Sequence, residues 1–180
     1  MNLQPVLEDD LVLLRPLHEN DFEALYEVAS DKQIWEQHPA KERSEREGFT
    51  RYFEEALATA RALAIIDKDT HKIIGTSRYN PSRESERAIE IGWTFLAKKY
   101  WGGKYNSAVK TLMIRYAFLY FDTVLFYVDK DNLRSQKAVE KIGGKRVTEI
   151  KGVPIAPRNS SVFYAIYRPE EDSAVPEYPA

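Results

Sequence analysis

Between Ala88 and Asp129 the hydrophobic period of the chain changes twice, and this limits the possible folds more than any other feature. AIEIGWTFL (Ala88–Leu96) reads as a strand, with Ile89, Ile91 and Trp93 on one face and Glu90, Gly92 and Thr94 on the other. WGGK (Trp101–Lys104) follows, with two adjacent glycines in a chain that has only 8. Tyr105, Val109, Leu112, Tyr116 and Leu119 then recur at alternating steps of four and three, the seam of a helix lying on a sheet from Lys104 to Phe121. TVLFYVD (Thr123–Asp129) is apolar on both faces, as strands inside a sheet are.

The flanking segments add strands and helices without a second core. LVLLRPL (Leu11–Leu17) is a first strand closed by Pro16. HENDFEALYEVAS is a first helix, with Asn20 available as its cap. A loop from Ile34 to Lys41 precedes a second helix over Ser44–Ala60, and LAIIDKDTHKIIGTSRY gives two strands about an Asp-Lys-Asp turn. NLRSQKAVEKIGG is a short helix stopped by glycine, and KRVTEIKG and SSVFYAIYR close the pattern as strands. This order predicts an α+β domain: one largely antiparallel sheet of about six to seven strands flanked by about four helices. The expected domain spans residues 1–170, with a flexible tail at 171–180.

Bulk properties narrow the function. A net charge of −2 and a pI near 6.0 supply no basic field, so nucleic acid is not an expected partner. Without cysteine there is no thiolate ligand or thiol nucleophile, and any acyl transfer goes directly or through another residue. Met1–Pro16 lacks the features of a secretory signal, and YAFLYFDTVLFYV, broken by Asp122, is too short to span a membrane. A cytoplasmic protein with no membrane partner is expected. His18, His38 and His71 fall in separate turns with no ligand spacing, so no metal is expected.

A strand, a tight glycine turn and a helix start leave several N–H groups pointing one way, which is where phosphate binds. Gly102 and Gly103 keep Cβ atoms out of the approach, and Lys104 adds charge. An ordinary turn explains the glycines equally well, and neither GxxxxGK[ST] nor GxGxxG is present. Glu90, a carboxylate amid Ile and Trp on a central strand, is either functional or salt-bridged. Asn132 reads as the cap of the following helix, and Ser135 shares a face with Ala138, Val139 and Ile142.

IEIGWTFLAKKYWGGKYNSAVKTLMIRYAF followed by VDKDNLRSQKAVEKIGG resembles the two central motifs of the GCN5-related N-acetyltransferases, in the branch of the ribosomal-protein N-terminal acetyltransferases. The resemblance implies a splayed sheet and acetyl-CoA as co-substrate, its pantetheine along the backbone of Phe95, Leu96 and Ala97. Its pyrophosphate would face the amides of Gly102, Gly103, Lys104, Tyr105 and Asn106. The family pattern, Arg or Gln, two residues, Gly, one residue, Gly or Ala, falls on Lys99, Gly102 and Lys104, and only Gly102 matches strictly. By the same resemblance Asn132 contacts the cofactor arm, Glu90 is the base acting through a water, and Ser135 protonates the leaving thiolate. The tyrosine acid of many members is replaced here by Val139. Trp35 and His38, in the loop beside the acceptor entrance, become candidate substrate contacts, although a tryptophan anchoring that loop to the core is the simpler reading. The implied reaction is direct acetyl transfer to an amine of a protein N-terminus, an aminoglycoside-like drug or a small molecule, by a monomer or homodimer. The competing reading is a non-catalytic acyl-CoA sensor on the same fold.

Overall fold

The computed structural model describes residues 1–158 and 160–169; the expected 171–180 tail lies outside the described residues. The strands are β1 (Leu7–Glu8), β2 (Val12–Pro16), β3 (Ala62–Asp67), β4 (Ile73–Pro81), β5 (Ala88–Leu96), β6 (Thr123–Asp129), β7 (Lys145–Val147), β8 (Glu149–Ile150), β9 (Val153–Pro154) and β10 (Ser161–Tyr167). The helices are α1 (Phe22–Ala29), α2 (Arg46–Thr59), α3 (Lys104–Ala117) and α4 (Leu133–Lys141). Eight strands form one sheet in the order β1-β2-β3-β4-β5-β6-β10-β7, and β8 and β9 make a separate ribbon. The α+β expectation holds, with more strands than expected. The two-residue β1 is too short to leave a period in the sequence, and KRVTEIKG divides between the main sheet and the ribbon.

Neighbouring strands of the main sheet are antiparallel except β5 and β6. That parallel pair is joined through α3, and it stays together for three rungs only: Ala88 with Thr123, Ile89 with Val124, and Glu90 with Leu125. Beyond Glu90 the two strands part, and among the described residues no strand covers that side of β5. The remainder of β5 is held from the other side by β4.

Two apolar layers sandwich the sheet. Val12, Leu14, Ile65, Ile74, Ile89, Ile91, Val124 and Phe126 pack with Val109 and Met113 of α3 and Val139 of α4. Ala62, Ala64 and Phe95 pack on the opposite face with Leu25 of α1 and Phe49, Tyr52, Phe53 and Ala56 of α2. The entry to α1 is organised by Asp21 rather than Asn20: its carboxylate accepts from the His18 amide at 2.8 Å and from both Arg15 terminal nitrogens at 2.7 and 2.8 Å.

The stripe expected on α3 is displaced. Its buried residues are Val109, Lys110, Met113, Ile114 and Ala117, whereas Tyr105, Leu112 and Tyr116 lie at the margin and Leu119, 53 % exposed, falls beyond the helix end. The sheet is not the only cover of this helix. The N-terminal segment packs along its flank, with Met1 and Leu3 against the same core and the Tyr116 hydroxyl donating to Asn2 O at 3.1 Å. That extra cover widens the apolar face, so the sequence seam marks its edge instead of its centre.

Candidate active site

The geometry of β5 turns on one irregularity. Thr76 of β4 pairs with Phe95, but Arg78 pairs with Gly92, so Trp93 and Thr94 together stand opposite Ser77. The extra residue is taken up at Trp93, whose φ is 51°, a β-bulge. A bulge reverses the alternation beyond it. Trp93 therefore joins Glu90 and Gly92 on the α1/α2 face, where the Arg78 guanidinium lies 4.5 Å from its ring, and Thr94 turns to the α3 face to meet Ser77 and Lys110. The expected grouping of Thr94 with Glu90, and of Trp93 with Ile89 and Ile91, is thus corrected. The bulge is fixed from α2, where the Tyr52 hydroxyl donates to Trp93 O at 3.1 Å.

Glu90 occupies the last rung before β5 and β6 separate. It is 5 % exposed and among the described residues has one side-chain donor, Asn80 Nδ2 at 3.0 Å, and no ion pair. Burial pushes its carboxyl up to about 7, against partial relief from the Asn80 hydrogen bond and the positive charges of Arg158 and Arg78. Beside it, a Cβ on Gly92 would stand 3.3 Å from Glu90 Oε1. Glycine at that position keeps one side of the carboxylate open.

The turn after β5 is anchored at its rear and open at its front. Asp67 accepts from the hydroxyls of Tyr100 at 2.9 Å and Tyr105 at 3.2 Å, the Trp101 indole donates to Leu96 O at 2.8 Å, and the Ala97 amide donates to Ile74 O at 2.8 Å. Of the residues expected along the pantetheine, Leu96 thus has its carbonyl and Ala97 its amide already committed, while Phe95 sends its side chain into the α2 layer. Gly102 has φ 67° with nothing within 4 Å of a notional Cβ, and Gly102, Gly103 and Lys104 are all exposed. No side chain caps α3 at Gly103. Its first-turn amides therefore face an uncovered, cation-rich surface: Lys99 lies over the Tyr100 ring at 4.6 Å, and Lys141 of α4 donates to Gly102 O at 3.3 Å. Lys141 was not legible as part of this site, since only the tertiary fold brings the end of α4 to the turn. The hydroxyl of Tyr105 is spent on Asp67, which leaves its main chain for any ligand; Asn106 is half-buried in the same turn.

Across the fork, Asn132 is 4 % exposed and its Oδ1 accepts from the Ser135 amide at 3.1 Å, the capping role. Ser135 is half-buried in the first turn of α4, and its hydroxyl has no protein partner among the described residues. Val139 is buried in the core, and the Tyr164 hydroxyl is tied to Gln136 at 3.2 Å and Glu140 at 3.1 Å. Tyr164 therefore packs on α4 and Tyr167 is exposed.

Trp35 is 3 % exposed, donates to Ala29 O at 2.7 Å and packs on Phe95 at 5.2 Å between ring centres. It anchors the loop, and the expected substrate contact at Trp35 gives way to that role because its indole is enclosed and its N–H is used. His38 stands edge-on to it at 5.4 Å and accepts from the Ala40 amide through Nδ1 at 2.9 Å. Burial, then the charge of Arg43, lowers its pKa to about 4, so at neutral pH it is an uncharged Nε2–H donor. Arg134 pins the same loop to α4 by stacking on Trp101 at 4.0 Å and donating to Ile34 O at 2.6 Å.

Three groups around β5, on either face of the sheet, escaped the sequence reading. Arg78 is buried two residues from Asn80 on the same face. Lys110 is buried under Thr94, and burial lowers its pKa to about 7. Tyr127 of β6 donates to Glu84 at 2.7 Å, and Arg158 donates to the same carboxylate at 3.0 Å. The alternation that exposed Glu90 as an anomaly was available for Arg78 in IIGTSRYNP; nothing in the sequence joined Glu84 to Tyr127 and Arg158. Among the described residues there is no cluster of His, Cys, Asp and Glu able to hold a metal, and no helix is long and apolar enough to cross a membrane.

The fold has counterparts among solved structures. An acetyltransferase of the GNAT family from Bacillus anthracis is 21 % identical with a TM-score of 0.68, over 91 % of this chain and 98 % of that one. A GCN5-related N-acetyltransferase from Brucella melitensis is 19 % identical with a TM-score of 0.74, over 91 % and 79 %. Mycobacterium smegmatis RimJ, solved in complex with CoA-disulfide, is 18 % identical with a TM-score of 0.65, over 95 % and 88 %. The family model of the acetyltransferase (GNAT) domain matches residues 12–145, nearly three quarters of the sequence, and the chain belongs to the GNAT family of N-acetyltransferases.

Proposed function

We propose that this acetyltransferase takes its acetyl group from acetyl-CoA and passes it directly to an amine, with Glu90 as the base. The observation that carries the reading is the position of Glu90: a buried carboxylate without a counter-ion, at the point where β5 and β6 open, with Gly92 leaving space beside it. The remaining residues fit the donor. The uncapped start of α3, the open Gly102 and the lysines around it suit a pyrophosphate, and the uncovered side of β5 suits an extended amide-bearing arm. Acetyl-CoA supplies an activated acyl group, and the protein supplies alignment and proton handling.

An amine reacts only as the neutral base. Glu90, poised near neutrality, accepts its proton through a water held beside Gly92. Ser135, with a hydroxyl free of protein partners on the first turn of α4, gives a proton to the departing thiolate. His38, uncharged and fixed through Nδ1, borders the acceptor side.

Thiol release from acetyl-CoA in the presence of an amine panel tests the reading. Turnover with at least one class of amine, lost in Glu90→Gln without loss of CoA affinity, is the expected result. CoA binding without turnover on any amine, and no effect of Glu90→Gln, favours the sensor.

A further inference from the structure

We propose that the acceptor is an amine carrying a carboxylate, and that Arg78 grips that carboxylate with the unoccupied edge of its guanidinium; this rests on the acetyltransfer reading above. Arg78 extends from β4 opposite Gly92, and the next residue of that face, Asn80, is opposite Glu90. The two positions are separated by roughly 7 Å of strand, the reach of a small amino acid. The side chain is 3 % exposed, and its Nη1 donates to Glu55 at 3.1 Å, a carboxylate 58 % exposed to solvent, while the neighbouring Tyr52 hydroxyl is the other polar group beside it among the described residues. Nε and Nη2 are buried and have no acceptor.

That pair of atoms is the side-on fork of arginine, the geometry that takes both oxygens of a carboxylate. A buried cation with a vacant fork is costly unless a partner arrives. Trp93, half-buried on the bulge, covers one face of the guanidinium at 4.5 Å and Tyr52 lies 5.5 Å away, so the group is braced by rings while its edge stays unfilled.

A second cation points to the same ligand charge. Arg43 stacks on Tyr52 at 4.7 Å, and its guanidinium has no ion pair or hydrogen bond among the described residues. Two guanidiniums thus share one aromatic ring, with the exposed Glu55 as the only carboxylate bonded to either among the described residues. On the other wall, Arg158 is already matched by Glu84 at 3.0 Å and has no comparable vacancy. An acceptor whose amine lies at Glu90 and whose carboxylate lies at Arg78 neutralises the excess and spans the groove floor.

The test compares common amino acids, each paired with its carboxamide, and phosphoethanolamine against ethanolamine, in the thiol-release assay. The wild type is expected to prefer the carboxylate member of at least one pair. Arg78→Gln should raise the KM of that member about 10- to 100-fold, as expected for loss of a charged hydrogen-bonded pair, and leave its carboxamide within about threefold. Arg78→Lys should recover only part, because a point charge cannot reproduce the fork. The rise in Tm caused by CoA reports that each variant is folded, and Arg43→Gln gives a smaller change of the same sign if Arg78→Gln fails to fold. Indifference to the carboxylate, turnover confined to neutral amines, or preference for the phosphate alone overturns the proposal. Should no amine be turned over while CoA still binds, the acetyltransfer reading fails instead. Calorimetry of the same amino acids on the CoA-loaded protein then decides Arg78: binding lost in Arg78→Gln sustains its role, and no binding to the wild type ends it.

Discussion

Glu90 and Lys110 lie on opposite faces of the sheet at β5, and burial moves both toward neutrality, Glu90 up to about 7 and Lys110 down to about 7. In its proposed role as base Glu90 must be ionised, so kcat should rise with pH through about 7, and Glu90→Gln should lower kcat by about two to three orders of magnitude while CoA affinity is unchanged. The same shift costs stability. Between about pH 4.5 and 7 the unfolded chain gives up this proton while the folded protein retains it, so stability falls as pH rises across that interval and stays lower above it. The penalty corresponds to about 3 kcal/mol, and Glu90→Gln should be more stable than the wild type at pH 8 by up to that amount in denaturant titration. Gly92→Ala probes the space beside the carboxylate: a methyl 3.3 Å from Oε1 fills the room the proposed relay through water needs, so kcat should drop with little change in Tm.

At the level of elements, the bulge in β5 and the uncapped start of α3 set the site. Tyr52→Phe removes the hydroxyl that holds Trp93 O and should cost about 1 kcal/mol, with a further loss in kcat as the bulge loosens. Gly102→Ala places a Cβ at φ 67° and should cost about 1 to 2 kcal/mol of backbone strain, with weaker CoA binding measured by calorimetry. These features differ in how far the sequence reveals them. The glycine pair is local chemistry and was legible, as were the cap at Asn132 and the helix stop at Gly143, whose φ is 93°. The bulge was not, because AIEIGWTFL alternates as well with it as without it, and only the pairing with β4 shows that two residues oppose one. The apolar seam of α3 was displaced for a similar reason, since its width depends on the N-terminal segment lying beside it.

Across the whole molecule the buried titrations of His38, Glu90 and Lys110 act with different slopes. Lys110 is charged in the unfolded chain up to about 10.5 but neutral in the folded protein above about 7, so the stability lost to its burial is regained as pH climbs from 7 towards 10.5. His38, uncharged in the folded protein down to about 4 but titrating near 6.5 in the unfolded chain, adds stability as pH rises across that range and offsets Glu90, so Tm should be nearly level between about pH 4.5 and 7 and climb above 7; Glu90→Gln should make the acid limb rise with pH, and Lys110→Met should flatten the alkaline limb. Below pH 4 Asp21, Asp67 and Asp122, whose pKa values are held down by donors, take over with the usual loss of stability on acidification. The order of the main strands and helices, the cap at Asn132, the helix stop at Gly143 and the anomaly of a carboxylate on a central strand were determined by the sequence alone, because each depends on neighbours within a few residues. Which face each residue of β5 takes past Gly92, the approach of Lys141 to Gly102, and the vacant fork of Arg78 between Tyr52 and Trp93 were decided only by the tertiary structure. Those contacts join residues far apart in the chain, and no local period encodes them.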